Sequence, residues 1–167
     1  MESDSKLTRL TRCGQYLVHA EIFRADINAM ITNDLQRFLF ERDELYSLKI
    51  YSTENGIWNF DINDFFILEQ KKLKKGQIEL MDYLSSHDLK RTIILVWIGL
   101  SYGEDKFYML RKKDLIQLLR KSFLKWKEKH SKRPIKKEKF YLPIYAKDIE
   151  SMELSTKTIS MINENFK

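Results

Sequence analysis

The segment RTIILVWIGL, residues 91–100, constrains this chain more than any other. Its β-branched, leucine and aromatic residues run on without polar alternation, the pattern of a central strand buried on both faces. SYGE, residues 101–104, turns the chain, and DKFYML, residues 105–110, returns as a neighbouring strand. Residues 111–129 then read as a long amphipathic helix, because Leu115, Leu118, Leu119, Phe123 and Trp126 recur at helical spacing. Asp114 near its start and lysines near its end complement the helix dipole, and Arg133-Pro134 ends it. FYLPIY, residues 140–145, is apolar but carries Pro143, which predicts an edge strand or an extended segment.

Upstream, Leu7, Leu10, Tyr16, Leu17, Ala20, Ile22 and Phe23 predict a helix over 8–24. INAMIT, residues 27–32, and LQRFLFE, residues 35–41, read as strands. In ELYSLKIYSTENGIWNFDINDFF, residues 44–66, two alternating runs, 45–51 and 57–62, flank a Ser/Thr/Asn/Gly cluster. Asn55-Gly56 tolerates the positive φ of a tight turn, so this stretch predicts a β-hairpin. A short helical or extended piece follows over 63–68, then the lysine-rich QKKLKKG and a predicted helix over 77–86, QIELMDYLSS. The polar tail from Lys147 predicts one or two short helices. This succession describes one α/β (α+β) domain over 1–150, a mixed β-sheet with flanking helices, and a C-terminal tail or helix over 151–167. A dinucleotide or P-loop fold is excluded, because neither GxGxxG nor GxxxxGK[ST] occurs.

With 167 residues, 43% apolar and 32% charged, the chain can bury one sizeable core beneath a charged surface. The single cysteine, Cys13, excludes an intrachain disulfide and a cysteine-based zinc site, and matches a reducing, cytoplasmic setting. No apolar run approaches the roughly 20 residues of a membrane span, and MESDSKLTRL has no apolar signal core. No membrane partner and no export are expected.

The formal net charge of +6 points to a polyanionic partner. The charge concentrates in residues 111–139: Arg111, Lys112, Lys113, Arg120, Lys121, Lys125, Lys127, Lys129, Lys132, Arg133, Lys136, Lys137 and Lys139 stand against Asp114, Glu128 and Glu138. Clustered Lys and Arg supply phosphate contacts whose affinity is salt-dependent and indifferent to sequence. On the helix, Lys113, Arg120, Lys121 and Lys127 avoid the apolar stripe and can face one partner. A solvated helix face is the alternative reading. No Arg/Asn/Gln cluster of a recognition helix is present, so base readout is not expected. His19 lies in an apolar helix and reads as a packed side chain, whereas His87 and His130 sit in polar surroundings and read as exposed. Trp58, Trp97 and Trp126 read as core. No paired His/Cys spacing suggests zinc.

The opening helix GQYLVHAEIFR, residues 14–24, resembles the GExLVxAELxR helix that opens many small nucleases of the PD-(D/E)xK superfamily. In that family a strand follows, then a β-hairpin carrying an aspartate and a Glu/Gln-x-Lys triplet. Tyr46-Ser47-Leu48-Lys49 stands where the triplet would lie, and STENGIWNFDINDFF is similar to the sequence that continues it in uncharacterised bacterial members. DKFYML, RKKDLIQLL and KWKEKHSKRPIKKE resemble later segments of the same members, so the resemblance spans residues 12–150. It implies a restriction-endonuclease-like fold and, in active members, Mg²⁺ held by two acidic groups beside a lysine that activates the attacking water.

Here the acids are missing. Ser47 replaces the Glu/Gln, the aspartate position coincides with Arg37 or Phe38, and the helix glutamate is Gln15. Lys49 alone remains, and a lysine cannot hold Mg²⁺, which demands oxygen ligands. This frame implies a catalytically degenerate protein without metal or cofactor. It would bind nucleic acid, or a nuclease partner, through Lys49 and the basic region, in restriction, phage defence or mobile-element biology. A second frame keeps catalysis. Residues 65–71, FFILEQK, end in Glu69-Gln70-Lys71, with Asp61 upstream and Gln77 opening the next helix. Asp61, Glu69 and Lys71 would then serve an Mg²⁺-dependent endonuclease hydrolysing DNA phosphodiesters, provided that Asn63-Asp64 turns and 65–71 is a strand. The competing reading of QKKLKKGQ is a solvated loop. Asp43 and Glu44 read as a polar turn, with a non-standard carboxylate as the alternative. A third reading is a non-enzymatic interaction subunit that pairs as a homodimer or with another protein through apolar patches such as residues 140–145.

Overall fold

In the computed structural model, which describes residues 2–24, 29–31, 37–40, 45–69, 79–82, 92–101, 103–130 and 140–154, the chain opens with helix α1 (Glu2–Arg24). Strands β1 (Ala29–Ile31), β2 (Arg37–Phe40), β3 (Leu45–Thr53), β4 (Ile57–Asp61), β5 (Phe66–Glu69), β6 (Glu79–Asp82), β7 (Thr92–Trp97) and β8 (Lys106–Arg111) follow. Helix α2 (Lys112–Lys129), β9 (Tyr141–Tyr145) and β10 (Glu153–Leu154) complete the order, with single 3₁₀ turns at Ile62–Asp64, Ala146–Asp148 and Glu150–Met152.

Six strands form a mixed sheet in the order β1-β2-β3-β7-β8-β10. β1, β2 and β3 make an antiparallel meander, β7 lies parallel to β3, and β8 and β10 are added antiparallel. β7 is interior and residues 92–96 are all buried, as its unbroken apolar run predicted. β4 with β9, and β5 with β6, form two separate antiparallel ribbons.

The pleat assigns alternate residues to opposite faces. Tyr51, Leu95 and Tyr108 are register neighbours on one face, with Ile93 and Leu110. This face joins Trp58, Phe60, Leu142 and Ile144 of the β4–β9 ribbon and Leu115, Ile116, Leu119 and Phe123 of α2 in one core. Edge-to-face aromatic pairs knit it together: Tyr51–Phe60 at 4.9 Å, Trp58–Tyr108 at 5.6 Å and Phe60–Phe65 at 5.6 Å between centroids. Ser52, Val96 and Phe107 belong to the opposite face, with Ile50 and Ile94. α1 packs there. A Cβ on Gly14 would collide with the Ser52 side chain and touch Val96, so the glycine sets how closely helix and sheet approach.

Three sequence expectations are corrected. The β-hairpin over 44–66 does not form as a pair. Both strands exist and Gly56 adopts a φ of 69°, but β4 pairs with β9. The hydrogen-bonding partners of β3 are β2 along Leu45–Ser47 and β7 along Leu48–Thr53, so β4 folds over the sheet instead of extending it. Trp58 fastens this crossing, its indole Nε1 donating to the Tyr51 carbonyl at 3.2 Å. The predicted helix over 77–86 contains a strand, β6, paired from Phe66↔Asp82 to Glu69↔Glu79. Its short apolar run suits either period, and the β5 edge decides it. On α1 the buried side is Gly14, Gln15, Val18 and His19, whereas Tyr16 and Ala20 of the expected stripe are exposed.

Candidate nucleic-acid interface and an aromatic groove

α2 spends its apolar side on the core, and this fixes where its charges go. Leu115, Ile116, Leu119 and Phe123 are buried. Ser122 Oγ donates to the Pro143 carbonyl at 3.1 Å and ties the helix to β9. At about 100° per residue, Lys113, Arg120, Lys121 and Lys125 share the outward arc with Gln117 and Leu124, and all six are exposed. Arg111 and Lys129 are exposed at the two ends, while Lys112 and Lys127 are half-buried. Two acids interrupt the helix. Asp114 accepts a hydrogen bond from the Arg111 backbone N–H at 3.3 Å and so serves as a cap; Glu128 alone is exposed. The structure thus gathers Lys113, Arg120 and Lys121 on one helix, with Arg111 as the residue that caps its start. Lys132, Arg133, Lys136 and Lys137 lie outside the described residues.

Lys49 is elsewhere. It is half-buried on β3, with its Nζ 5.2 Å from the centroid of the Tyr51 ring. A half-buried lysine with its ammonium over an aromatic ring is a cation–π arrangement, which a surface lysine adopts without any catalytic task. The positions that the family resemblance assigns to acids are cross-strand neighbours, Arg37 opposite Ser47 and Phe38 opposite Tyr46. Neither pair contains a carboxylate. Lys49 also belongs to the Tyr51–Ile93 face of the sheet, while α1, which carries Gln15, packs on the Ser52 face. The sheet therefore separates the helix position from the lysine.

In the second frame, Ile62–Asp64 is a 3₁₀ turn and Phe66–Glu69 is a strand. Asp61 Oδ1 accepts from the Asn63 backbone N–H at 3.0 Å and from its Nδ2 at 2.8 Å, capping that turn. Glu69 ends β5 opposite Glu79. Lys71 and Gln77, like Asp43, Glu44 and His87, lie outside the described residues. Among the described residues no group of three or more His, Cys, Asp or Glu side chains is placed to hold a metal ion. His19 is buried, and burial pushes its pKa below the usual histidine value. His130, expected to be exposed, is half-buried and stacks on Trp126 at 5.0 Å between centroids. Of residues 140–145, Leu142 and Ile144 are committed to the core, leaving Tyr141 and Tyr145 exposed.

One concave feature escapes a residue-by-residue reading, because its walls come from distant segments. A groove of about 550 Å³ opens between the end of the β4–β9 ribbon and the ends of β7, β8 and β10. Trp97, Tyr108 and Tyr145 contribute rings, Asn55, Gly56 and Ile57 one end, and Lys106, Lys147, Glu150 and Glu153 the charges. Trp97, expected in the core, is half-buried and packs against Gly56, where an added Cβ would meet its ring at 3.3 Å. Its Nε1 donates to the Glu54 carbonyl at 3.2 Å. Burial pushes the Tyr108 hydroxyl pKa up, and the carboxylates of Glu153 and Glu150 push it further the same way.

No family model, curated protein or solved structure matches this chain. Among the described residues no helix is long and apolar enough to cross a membrane.

Proposed function

We propose that this chain is a catalytically degenerate, restriction-endonuclease-like protein that binds nucleic acid through the outer face of α2. One observation carries the reading: the apolar side of α2 is consumed by the core, so Lys113, Arg120, Lys121 and Lys125 are presented together with a single exposed acid on the helix. Such a surface neutralises phosphates and releases counterions. The order of α1, β1 and the β2–β3 antiparallel pair supports the nuclease-like frame, since the resemblance implies a helix, a strand and a hairpin in that succession. The absence of carboxylates at residues 37, 38 and 47, and the sheet between Gln15 and Lys49, support the loss of catalysis. Its site of action in this reading is a reducing, cytoplasmic compartment.

The test is a titration of fluorescent duplex DNA and RNA across a salt series from 50 to 200 mM. Expected is binding that weakens steeply with salt, and a drop of at least about tenfold for the triple variant R120E/K121E/K125E with an unchanged melting temperature. Binding indifferent to salt or to the triple variant sinks the proposal and favours a protein partner.

A second reading, an Mg²⁺-dependent endonuclease using Asp61, Glu69 and Lys71, has one observation in its favour: the turn over Ile62–Asp64 and the strand Phe66–Glu69 supply part of what that frame requires, a turn followed by a strand over 65–71. Incubation with supercoiled plasmid and Mg²⁺ or Mn²⁺ discriminates. Nicking that disappears in Glu69→Ala would establish the active enzyme and overturn the degenerate one.

A further inference from the structure

We propose that the groove between Trp97, Tyr108 and Tyr145 is a binding site for an uncharged planar heteroaromatic ring of nucleobase size. Its volume of about 550 Å³ falls in the range of small-molecule sites, about 300–1,000 Å³. Its frame is tied down. The Ala146 N–H donates to the Gly56 carbonyl at 2.9 Å, closing the ribbon at the end where Ile57 pairs with Tyr145, and the Trp97 indole is held against Gly56. Tyr108 forms the floor at 1% exposure, whereas Tyr145 is 40% exposed. A ring that large and that open, beside two others, offers a stacking wall.

Charge selects among occupants. Lys106 Nζ lies 3.3 Å from Glu153 Oε2, and Lys147 Nζ lies 5.4 Å from the Tyr145 ring centroid. The lining therefore balances two ammonium groups against the carboxylates of Glu150 and Glu153. A phosphate entering would meet both carboxylates. An organic cation would compete with two cations already in place. A hydrocarbon would strip water from an ion pair without replacing its hydrogen bonds. A neutral ring bearing both donors and acceptors satisfies lysines, carboxylates, the Asn55 amide and the Tyr108 hydroxyl while stacking on the aromatic wall. The choice of nucleobases among such rings rests on the nucleic-acid reading above; the groove itself does not.

The experiment uses the full chain and the four ribonucleosides, which carry the base without phosphate. ¹⁵N-labelled protein is titrated with each, following the Gly56 amide and the Trp97 indole N–H. Expected are saturable shifts of these signals for at least one nucleoside at millimolar concentration. Binding should weaken by about tenfold in Tyr145→Ala, as loss of a stacking partner implies, and be unchanged in R120E/K121E/K125E. Tyr145 is partly exposed, so its variant should keep the wild-type melting temperature; Lys147→Ala gives a second, milder probe of the same wall. No shift with any nucleoside, or shifts that persist undiminished in both Tyr145→Ala and Lys147→Ala, overturns the proposal. So do equal shifts with inorganic phosphate, which would mark an anion site, or with choline, which would mark a cation cage. Nucleoside binding is read without phosphates and duplex binding with the α2 variant, so either proposal can fail while the other stands.

Discussion

One face of the six-stranded sheet is covered by the β4–β9 ribbon and α2, the other by α1, and the two covers are made of different residues. The first is a large aromatic and aliphatic core with Leu95, Leu119 and Leu142 fully buried. Across the sheet, the contact is close and partly polar: Gly14 stands against Ser52, and Gln15 and His19 are buried beside Val18. Apolar bulk on one side supplies stability in proportion to area. On the other side, fit and the satisfaction of polar groups decide the outcome. Substitutions should therefore fail in different ways on the two faces.

The largest effect is expected on the aromatic side. Leu119→Ala, which opens a cavity beneath α2, should cost about 2–5 kcal/mol, measured by urea denaturation. A loss under about 1 kcal/mol would mean that α2 is loosely docked, and the contrast between the faces would collapse. Gly14→Ala should cost less, about 1–3 kcal/mol, through overpacking against Ser52. Combining it with Ser52→Gly should recover part of that loss; strictly additive losses would show that helix and strand are not in contact there.

His19 gives the α1 face a pH dependence. Burial lowers its folded-state pKa below the ordinary 6.5, so as pH falls through 6.5 the unfolded chain takes up a proton that the folded one refuses. Stability is full above that value and declines toward the lowered native pKa. The melting temperature should drop between about pH 7.5 and 5.5, and His19→Gln should flatten the slope. An unchanged slope would assign the dependence to other groups. The smallest effect belongs to Ser52→Ala. Ser52 Oγ is buried and has no hydrogen-bond partner among the described residues, so its removal should be neutral or stabilise by up to about 1 kcal/mol. A clear loss on thermal melting would reveal a partner for it.

How far these features were legible depended on whether a signal was local. β7, β8, α2 and β9 could be placed because apolar period and length agree within each segment. The basic arc of α2 was legible for the same reason, since burying Leu115, Leu119 and Phe123 leaves Lys113, Arg120 and Lys121 no other direction. Pairing was not legible. Asn55-Gly56 supplied true turn chemistry, yet β2 and β7 already flank β3. Nor could the chain announce that β5 would recruit residues 79–82 as a strand. The groove was hidden most thoroughly: no window contains Trp97, Tyr108, Tyr145 and Glu153 together. In the nuclease-like frame, residue types spoke more plainly than position, because no placement of Ser47 and Arg37 makes them carboxylates.

The divided pairing of β3 has a consequence in time. Its first residues pair with β2, only four residues away along the chain, but Leu48–Thr53 must wait for β7, with all of β4, β5 and β6 synthesised between. Closing so long a connection to form a parallel ladder is slow. During that interval Leu48–Thr53 is an unpaired edge, the kind of surface on which chains aggregate. Pulse-labelled hydrogen exchange during refolding should find the local β7–β8 amides protected first and the β3–β7 ladder last. Expression yield, more than equilibrium stability, should then respond to changes at Leu48, Ile50 and Ser52.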